Sequence, residues 1–74
     1  MRRNHRAMQL RHLEHAEQQI TEGDRRIANQ EERIARLSSH GHHVVEAKKI
    51  LATFRVSQTL FIRHRDLILQ ELGQ

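Results

Sequence analysis

The fold of this chain is decided by the stretch IARLSSHGHHVVEA, residues 34–47, in which a polar segment separates two apolar repeats. An apolar residue recurs every seven positions before the segment, and the same interval returns after it. These residues are Leu13, Ile20, Ile27 and Ile34 in the first half and Ala47, Phe54, Phe61 and Ile68 in the second. A seven-residue apolar repeat is typical of helices that pack together as a coiled coil.

The two repeats match when the second half is folded back antiparallel onto the first. The residue numbers of each facing pair then add up to the same total, and a second set of seam positions obeys the same rule. The pairs are Ile34–Ala47, Ile27–Phe54, Ile20–Phe61 and Leu13–Ile68, then Leu37–Val44, Gln30–Leu51, Gly23–Gln58 and Ala16–Arg65. The sequence therefore predicts an all-α, antiparallel two-helix coiled-coil hairpin. The expected hairpin core is Leu13, Ile20, Ile27, Ile34, Leu37, Val44, Ala47, Leu51, Phe54, Phe61 and Ile68.

The predicted boundaries make residues 1–74 a single helical hairpin. Helix 1 is expected over about 5–38, the turn over 39–43 and helix 2 over about 44–72, because good helix formers fill both segments. Gly41 can take a positive φ at low cost, which suits the end of a helix. Gly23 is a weak point in helix 1, but the apolar repeat continues unshifted across it.

Charged residues beside the seam should help to set its register. The antiparallel pairing brings Glu31 near Lys48 and Asp24 near Arg55, two pairs of opposite charge. Exposed ion pairs contribute only about 0–1 kcal/mol each, so we expect them to affect register more than stability.

Helix 2 is too apolar for a hairpin that buries only one seam. A further apolar stripe at helical spacing comprises Val45, Ala52, Val56, Leu60 and Leu67. Short chains rarely gain enough stability from one seam, and closed two-fold dimers are the commonest soluble assembly. We therefore expect this stripe to be a dimer or partner face, with a homodimeric four-helix bundle as the simplest assembly. The alternative is a monomer that exposes some leucines, as many protein surfaces do.

The composition limits the classes of function that the chain can serve. The 74 residues carry a formal net charge of +4 and no cysteine, so disulfides and thiolate metal sites are excluded. No stretch approaches the roughly 20 apolar residues of a membrane span, and the basic N-terminus lacks the apolar region of a secretory signal. We expect a cytoplasmic protein that does not contact a membrane.

Histidine is abundant, with seven residues, three of them in the turn as His40, His42 and His43. Zinc or nickel accepts such ligands, but no carboxylate stands at ligand spacing beside the turn, and the HExxH and ExxH patterns are absent. We therefore expect no metal and no cofactor. A small hairpin also offers no sheltered pocket for a nucleophile and its base, so we expect no enzymatic activity.

Arginines near the N-terminus and along helix 1 give nucleic acid as the alternative ligand. The candidate phosphate contacts are Arg2, Arg3, Arg6, Arg11, Arg25 and Arg26. Glutamates such as Glu14, Glu17 and Glu22 alternate with them, which is more typical of a solvated, ion-paired helix face. The sequence thus favours a small regulatory protein that binds a protein partner through helical surfaces, with a nucleic-acid-binding regulator as the alternative.

Several short stretches along nearly the whole chain give it a family resemblance. They are residues 12–17 (HLEHAE), Gly23, Gly41-His42, residues 51–54 (LATF) and residues 64–66 (HRD). In these the chain resembles small alphaproteobacterial helical-hairpin proteins to which no activity is assigned, so the resemblance implies no functional residues. The expected architecture is also similar to that of the plasmid repressor-of-primer family, hairpin dimers that bind RNA. That similarity concerns length and topology, which do not by themselves imply a shared function.

Overall fold

The computed structural model describes the backbone of residues 2–73 and the side chains of residues 5–73. It contains two helices, α1 (Arg2–Ser39) and α2 (Val45–Leu72), packed along each other as a hairpin with dimensions of 59 × 15 × 14 Å. The predicted all-α hairpin is confirmed. α1 begins three residues before the expected start and ends one residue after the expected end, and α2 begins one residue later than expected.

The turn closes α1 with a Schellman motif, in which a residue of positive φ lets two amides bond back into the last turn. Gly41 has a φ of 74°, as its position in the sequence predicts. The amide of His42 donates to the carbonyl of Leu37 at 2.9 Å, and the amide of Gly41 donates to that of Ser38 at 3.1 Å. These bonds satisfy two of the carbonyl groups that the end of a helix leaves without partners.

The start of α2 relies on backbone bonding and charge rather than on a side-chain cap. Val44 is the N-cap residue and its side chain makes no cap hydrogen bond. Its carbonyl accepts from the amide of Lys48 at 2.8 Å, which is the first bond of the helix. Glu46 lies in the first turn, where a negative charge interacts favourably with the helix dipole.

The seam between the helices is only partly closed to solvent. Of the expected core, Ala47, Leu51 and Ile68 are buried, and Ala16 on α1 is buried opposite Arg65. The remaining expected core residues are half-buried: Leu13, Ile20, Ile27, Ile34, Leu37, Val44, Phe54 and Phe61. Two helices cover a seam residue from one side, so its flanks stay open. A single hairpin therefore leaves most of its large apolar side chains incompletely covered.

Glutamine side chains bridge the helices at the predicted register. The Gln30 amide donates to the carbonyl of Ala47 at 2.9 Å. The Gln58 amide donates both to the carbonyl of Ile20 and to the Asp24 carboxylate, each at 2.8 Å. Each bond joins a glutamine to a residue within about one helical turn of its facing position, so these bonds fix the two helices along their axes.

Gln58 fits the seam because residue 23 is a glycine. A β-carbon at Gly23 would overlap the amide group of Gln58, so any larger residue would push that side chain aside. The Gln58 side chain is 6% exposed, and within residues 5–73 its Oε1 atom has no hydrogen-bond donor. The glycine that weakens α1 locally is therefore the partner of a buried polar side chain in α2.

Neither expected ion pair, Glu31–Lys48 or Asp24–Arg55, forms among the described residues. Arg55 pairs with Glu31 at 2.9 Å, and Asp24, its expected partner, accepts from Gln58 instead. Helical side chains lean toward the N-terminus of their own helix. In an antiparallel pair, that lean makes Arg55 and Glu31 converge, whereas Arg55 and Asp24 diverge.

Candidate interaction surface

α2 carries apolar side chains on two opposite faces. Successive helical residues are rotated by about 100°, so Val56 points about 160° away from both Phe54 and Gln58 in the seam. The face centred on Val56 is called the outer face of α2 here, and it comprises the predicted stripe: Val45, Ala52, Val56, Leu60 and Leu67. Since α1 occupies the opposite side, the hairpin itself cannot cover this face.

The outer face of α2 is open to solvent along its whole length. The exposed fractions are 60% for Val45, 62% for Val56, 56% for Leu60 and 58% for Leu67, and Ala52 is also exposed. More than half of each large side chain thus contacts water. All five residues that the sequence assigned to a dimer or partner face lie together on this surface.

Three polar side chains on the outer face are already paired within α2. The hydroxyls of Thr53 and Thr59 donate to the carbonyls of Lys49 and Arg55, at 3.2 and 3.1 Å. The Lys49 ammonium lies 3.3 Å from the Glu46 carboxylate. A partner could therefore cover the two hydroxyls without leaving a buried donor unpaired.

Further exposed apolar side chains flank the outer face or lie near the chain ends. On α2 they are Ile50, Ile62 and Leu69, and on α1 they are Met8 and Leu10. Met8 belongs to no apolar repeat, so the sequence did not predict its place on the surface. Gln9 was not predicted either; it is a buried seam residue whose amide donates to the Glu71 carboxylate. The signal for Gln9 was its position seven residues before Ala16.

The outer side of α1 is polar, and its arginines lie among carboxylates. Arg26 is 3.7 Å from Glu22 and Arg36 is 3.4 Å from Glu32. Of the candidate phosphate contacts, Arg11 and Arg25 are also exposed, and Arg6 donates to the carbonyl of Leu72 at 3.3 Å. The side chains of Arg2 and Arg3 lie outside the described residues. Among the candidates with described side chains, the structure brings Arg25 and Arg26 together with acidic neighbours rather than into a continuous basic surface.

The turn histidines do not converge on one point. The Nδ1 atom of His40 donates to the carbonyl of Arg36 at 2.7 Å, which holds the ring against the end of α1. On α1, the Nδ1 atom of His12 is 3.2 Å from the Oε1 atom of Gln9. Within the described part of the chain, no three histidine or acidic side chains are grouped so that they could hold a metal ion.

The geometry defines a helical hairpin with one seam and one exposed apolar face. Neither α1 nor α2 contains an apolar stretch long enough to cross a bilayer. Comparison with family models, with curated proteins and with solved structures gives no match. The resemblance to alphaproteobacterial hairpin proteins stays a prediction.

Proposed function

We propose that this protein is a non-enzymatic interaction protein that binds a helix of another protein chain through the outer face of α2. The observation that carries the proposal is the exposure of Val45, Val56, Leu60 and Leu67 in one row. Contiguous exposed apolar surface on a small protein marks an interaction site more often than scattered single residues do. A regulatory role follows if occupancy of this face changes what the partner does.

The shape of the face suits a helical partner. The stripe extends over about 33 Å between Val45 and Leu67, at about 1.5 Å per residue. Its width is that of one helix, and its residues recur at the spacing that helical ligands use to anchor themselves. A docked helix would cover the whole row, whereas a globular surface would touch only part of it.

The grooves of the hairpin support binding rather than catalysis. Catalytic and cofactor sites usually lie in concave pockets that exclude water. One groove between the helices is lined by Ile34, Leu51 and Ala52, with Glu31 and Arg55 at its edge, and it is open to solvent. We infer neither an enzymatic activity nor a cofactor from such a surface.

Nucleic-acid binding through the arginines is the alternative function. It has weaker support because Glu22 and Glu32 lie beside Arg26 and Arg36, where they repel phosphate. A nucleic-acid-binding regulator would need a continuous basic surface. On α1, carboxylates lie among the arginines and interrupt such a surface. The net charge of +4 still permits weak electrostatic association.

Photo-crosslinking tests the interaction function in the native host. A photoreactive amino acid replaces Val56 on α2 in one variant and Ala28, an exposed residue of α1, in the control. We expect discrete protein adducts, to this chain or to another, from position 56 and few from position 28. An absence of adducts at position 56, or the same adducts from both positions, would contradict the proposal.

A further inference from the structure

We propose that a second copy of the chain occupies the outer face of α2, antiparallel, with a two-fold axis beside Val56. The two α2 helices then form the centre of the assembly and the two α1 helices its edges. This inference rests on the proposed function, because it names the partner of the same face. The four helices of the expected assembly then lie in a row rather than around a common core.

The spacing of the outer face is the same in both directions from Val56. Val45 and Leu67 each lie eleven residues from it, and Ala52 and Leu60 each lie four residues from it. A two-fold interface requires this property, since each residue of one copy must meet its mate in the other copy. Reversal about Val56 brings Val45 onto Leu67 of the second copy and Ala52 onto Leu60.

The chemical character of the outer face, though not of all α2, is also preserved on reversal. Pairs Ala47–Arg65, Phe54–Gln58 and Arg55–Ser57, which lie away from the outer face, do not match. On or beside the outer face, five pairs at equal distances from Val56 belong to the same class: Val45 and Leu67, Glu46 and Asp66, Lys49 and Arg63, Ile50 and Ile62, Thr53 and Thr59. The seam repeat does not require this, because these residues lie outside the seam. A helix of unrelated sequence could match the spacing of the outer face, but its residues would not match those of the outer face in chemical class pair by pair.

The side chains near the axis are small enough for close helix packing. Val56 meets its own copy on the axis, and the small Ala52 meets the larger Leu60 of the second copy on each side. Alternation of small and large side chains lets two helices interdigitate. The eleven-residue spacing of Val45, Val56 and Leu67 keeps the row nearly straight along α2, so the helices can contact one another over the full stripe.

The charges balance at each end of the proposed interface. One copy contributes Glu46 and Lys49, and the other contributes Arg63 and Asp66. Two acidic and two basic groups therefore meet at each end, and no net charge accumulates. Reversal about Val56 places Lys49 of one copy beside Arg63 of the other within the apolar row. Their aliphatic stems can cover the row while the two like charges separate into water.

The contrast between the helices favours α2 at the centre. Seven of the nine large apolar residues that are exposed in the described part of the chain lie on α2. A helix that is apolar on opposite sides is stable only when both sides are covered. Because the outer face lies about 160° from the seam, a second α2 must dock on the side away from α1.

Cysteine cross-linking tests the arrangement, because the natural chain contains no cysteine. Single variants Val56→Cys, Val45→Cys and Leu67→Cys are treated with a short bifunctional maleimide, and Ala28→Cys on α1 is the matched control. Circular dichroism confirms that each variant remains helical. Residues at position 45 of the two copies should be about 33 Å apart, and so should those at position 67.

We expect Val56→Cys to give covalent dimers by itself, and Val45→Cys to give them only when mixed with Leu67→Cys. Dimers from Val45→Cys alone and from Leu67→Cys alone would show parallel pairing and would overturn the topology. A chain that sediments as a monomer, with no cross-link at position 56, would overturn self-association. In that case adducts to other proteins from the photoreactive residue at position 56 would leave the proposed function standing, so the two failures are distinguishable.

Discussion

The two helices of the hairpin are alike where they face each other and different where they face away. In the seam, both present apolar residues at seven-residue intervals, with bridging glutamines such as Gln30 and Gln58 from each. Outside it, α1 is covered by charged and polar residues, whereas α2 exposes an apolar row that only Lys49 and Arg63 interrupt. The seam accounts for the fold of the hairpin. The apolar row does not contribute to that fold, and on its composition we base the proposal of association with another chain.

The largest expected effect comes from the seam. Ile68 is 4% exposed, so Ile68→Ala should lower the free energy of unfolding by about 2–5 kcal/mol through lost burial and a residual cavity. The neighbouring Leu69 is exposed, and Leu69→Ala should cost clearly less. Urea unfolding of both variants at one protein concentration measures the difference. Equal losses would mean that the seam is not where the structure places it.

The next effect distinguishes the outer faces of the two helices. Val56→Glu with Leu60→Glu places two charges on the outer face of α2, and Ala28→Glu with Ala35→Glu places two on the outer side of α1. The first pair should halve the sedimenting mass and lower the melting temperature, because folding and association are linked. At a concentration about 100 times the dissociation constant of the dimer, the linked loss is about 2.7 kcal/mol.

The control pair on α1 should leave the sedimenting mass unchanged and the stability within about 0.5 kcal/mol. For both double variants, thermal unfolding followed by circular dichroism measures the stability, and sedimentation equilibrium measures the mass. If both double variants changed the sedimenting mass and the melting temperature alike, the outer sides of α1 and α2 would not differ in function. The proposed association through α2 would then lose its support.

A smaller effect tests the contact between Gly23 and Gln58. Replacing a helical glycine by alanine normally stabilises by about 1 kcal/mol. In the natural chain, Gly23→Ala should stabilise the protein by less than this amount or destabilise it. The reason is that the new β-carbon displaces the Gln58 amide from Ile20 and Asp24. Each lost hydrogen bond costs about 0.5–1.5 kcal/mol. In the Gln58→Ala background, Gly23→Ala should show its full gain.

A double-mutant cycle by urea unfolding measures this coupling, with Gly23→Ala and Gln58→Ala studied singly and together. Additive effects would show that the two residues do not touch in solution. The register that Gln58 fixes between the helices would then need another explanation.

The smallest expected effect concerns nucleic acid. Binding of duplex DNA or hairpin RNA should be no tighter than about 10⁻⁶–10⁻⁴ M at physiological salt, because carboxylates interrupt the arginines of α1. A gel-shift titration at about 150 mM salt, compared with the variant that lacks Arg6, Arg11 and Arg25, measures it. A discrete complex at nanomolar protein that resists competitor would favour the alternative function.

The sequence predicted the fold and the position of the outer face well, because both depend on periodicity. Heptad spacing identified Ala47, Leu51 and Ile68 as seam residues, and the apolar residues left over identified the face around Val56. The partner of Arg55 was not predictable from facing positions alone, since it depends on the direction in which helical side chains lean. Phe54 and other seam residues are half-buried because two helices alone leave the sides of the seam open. Residue spacing identifies the seam residues but does not tell how completely they are covered.

The most direct test of the account is the mass of the chain in solution. Sedimentation equilibrium over the micromolar range should give about twice the chain mass of 8.8 kDa, falling toward the single-chain mass on dilution. This mass is expected because the proposed dimer covers the outer face of α2. A mass of 8.8 kDa at every concentration, together with a high melting temperature, would contradict the account, because the hairpin would then be stable with its apolar row exposed.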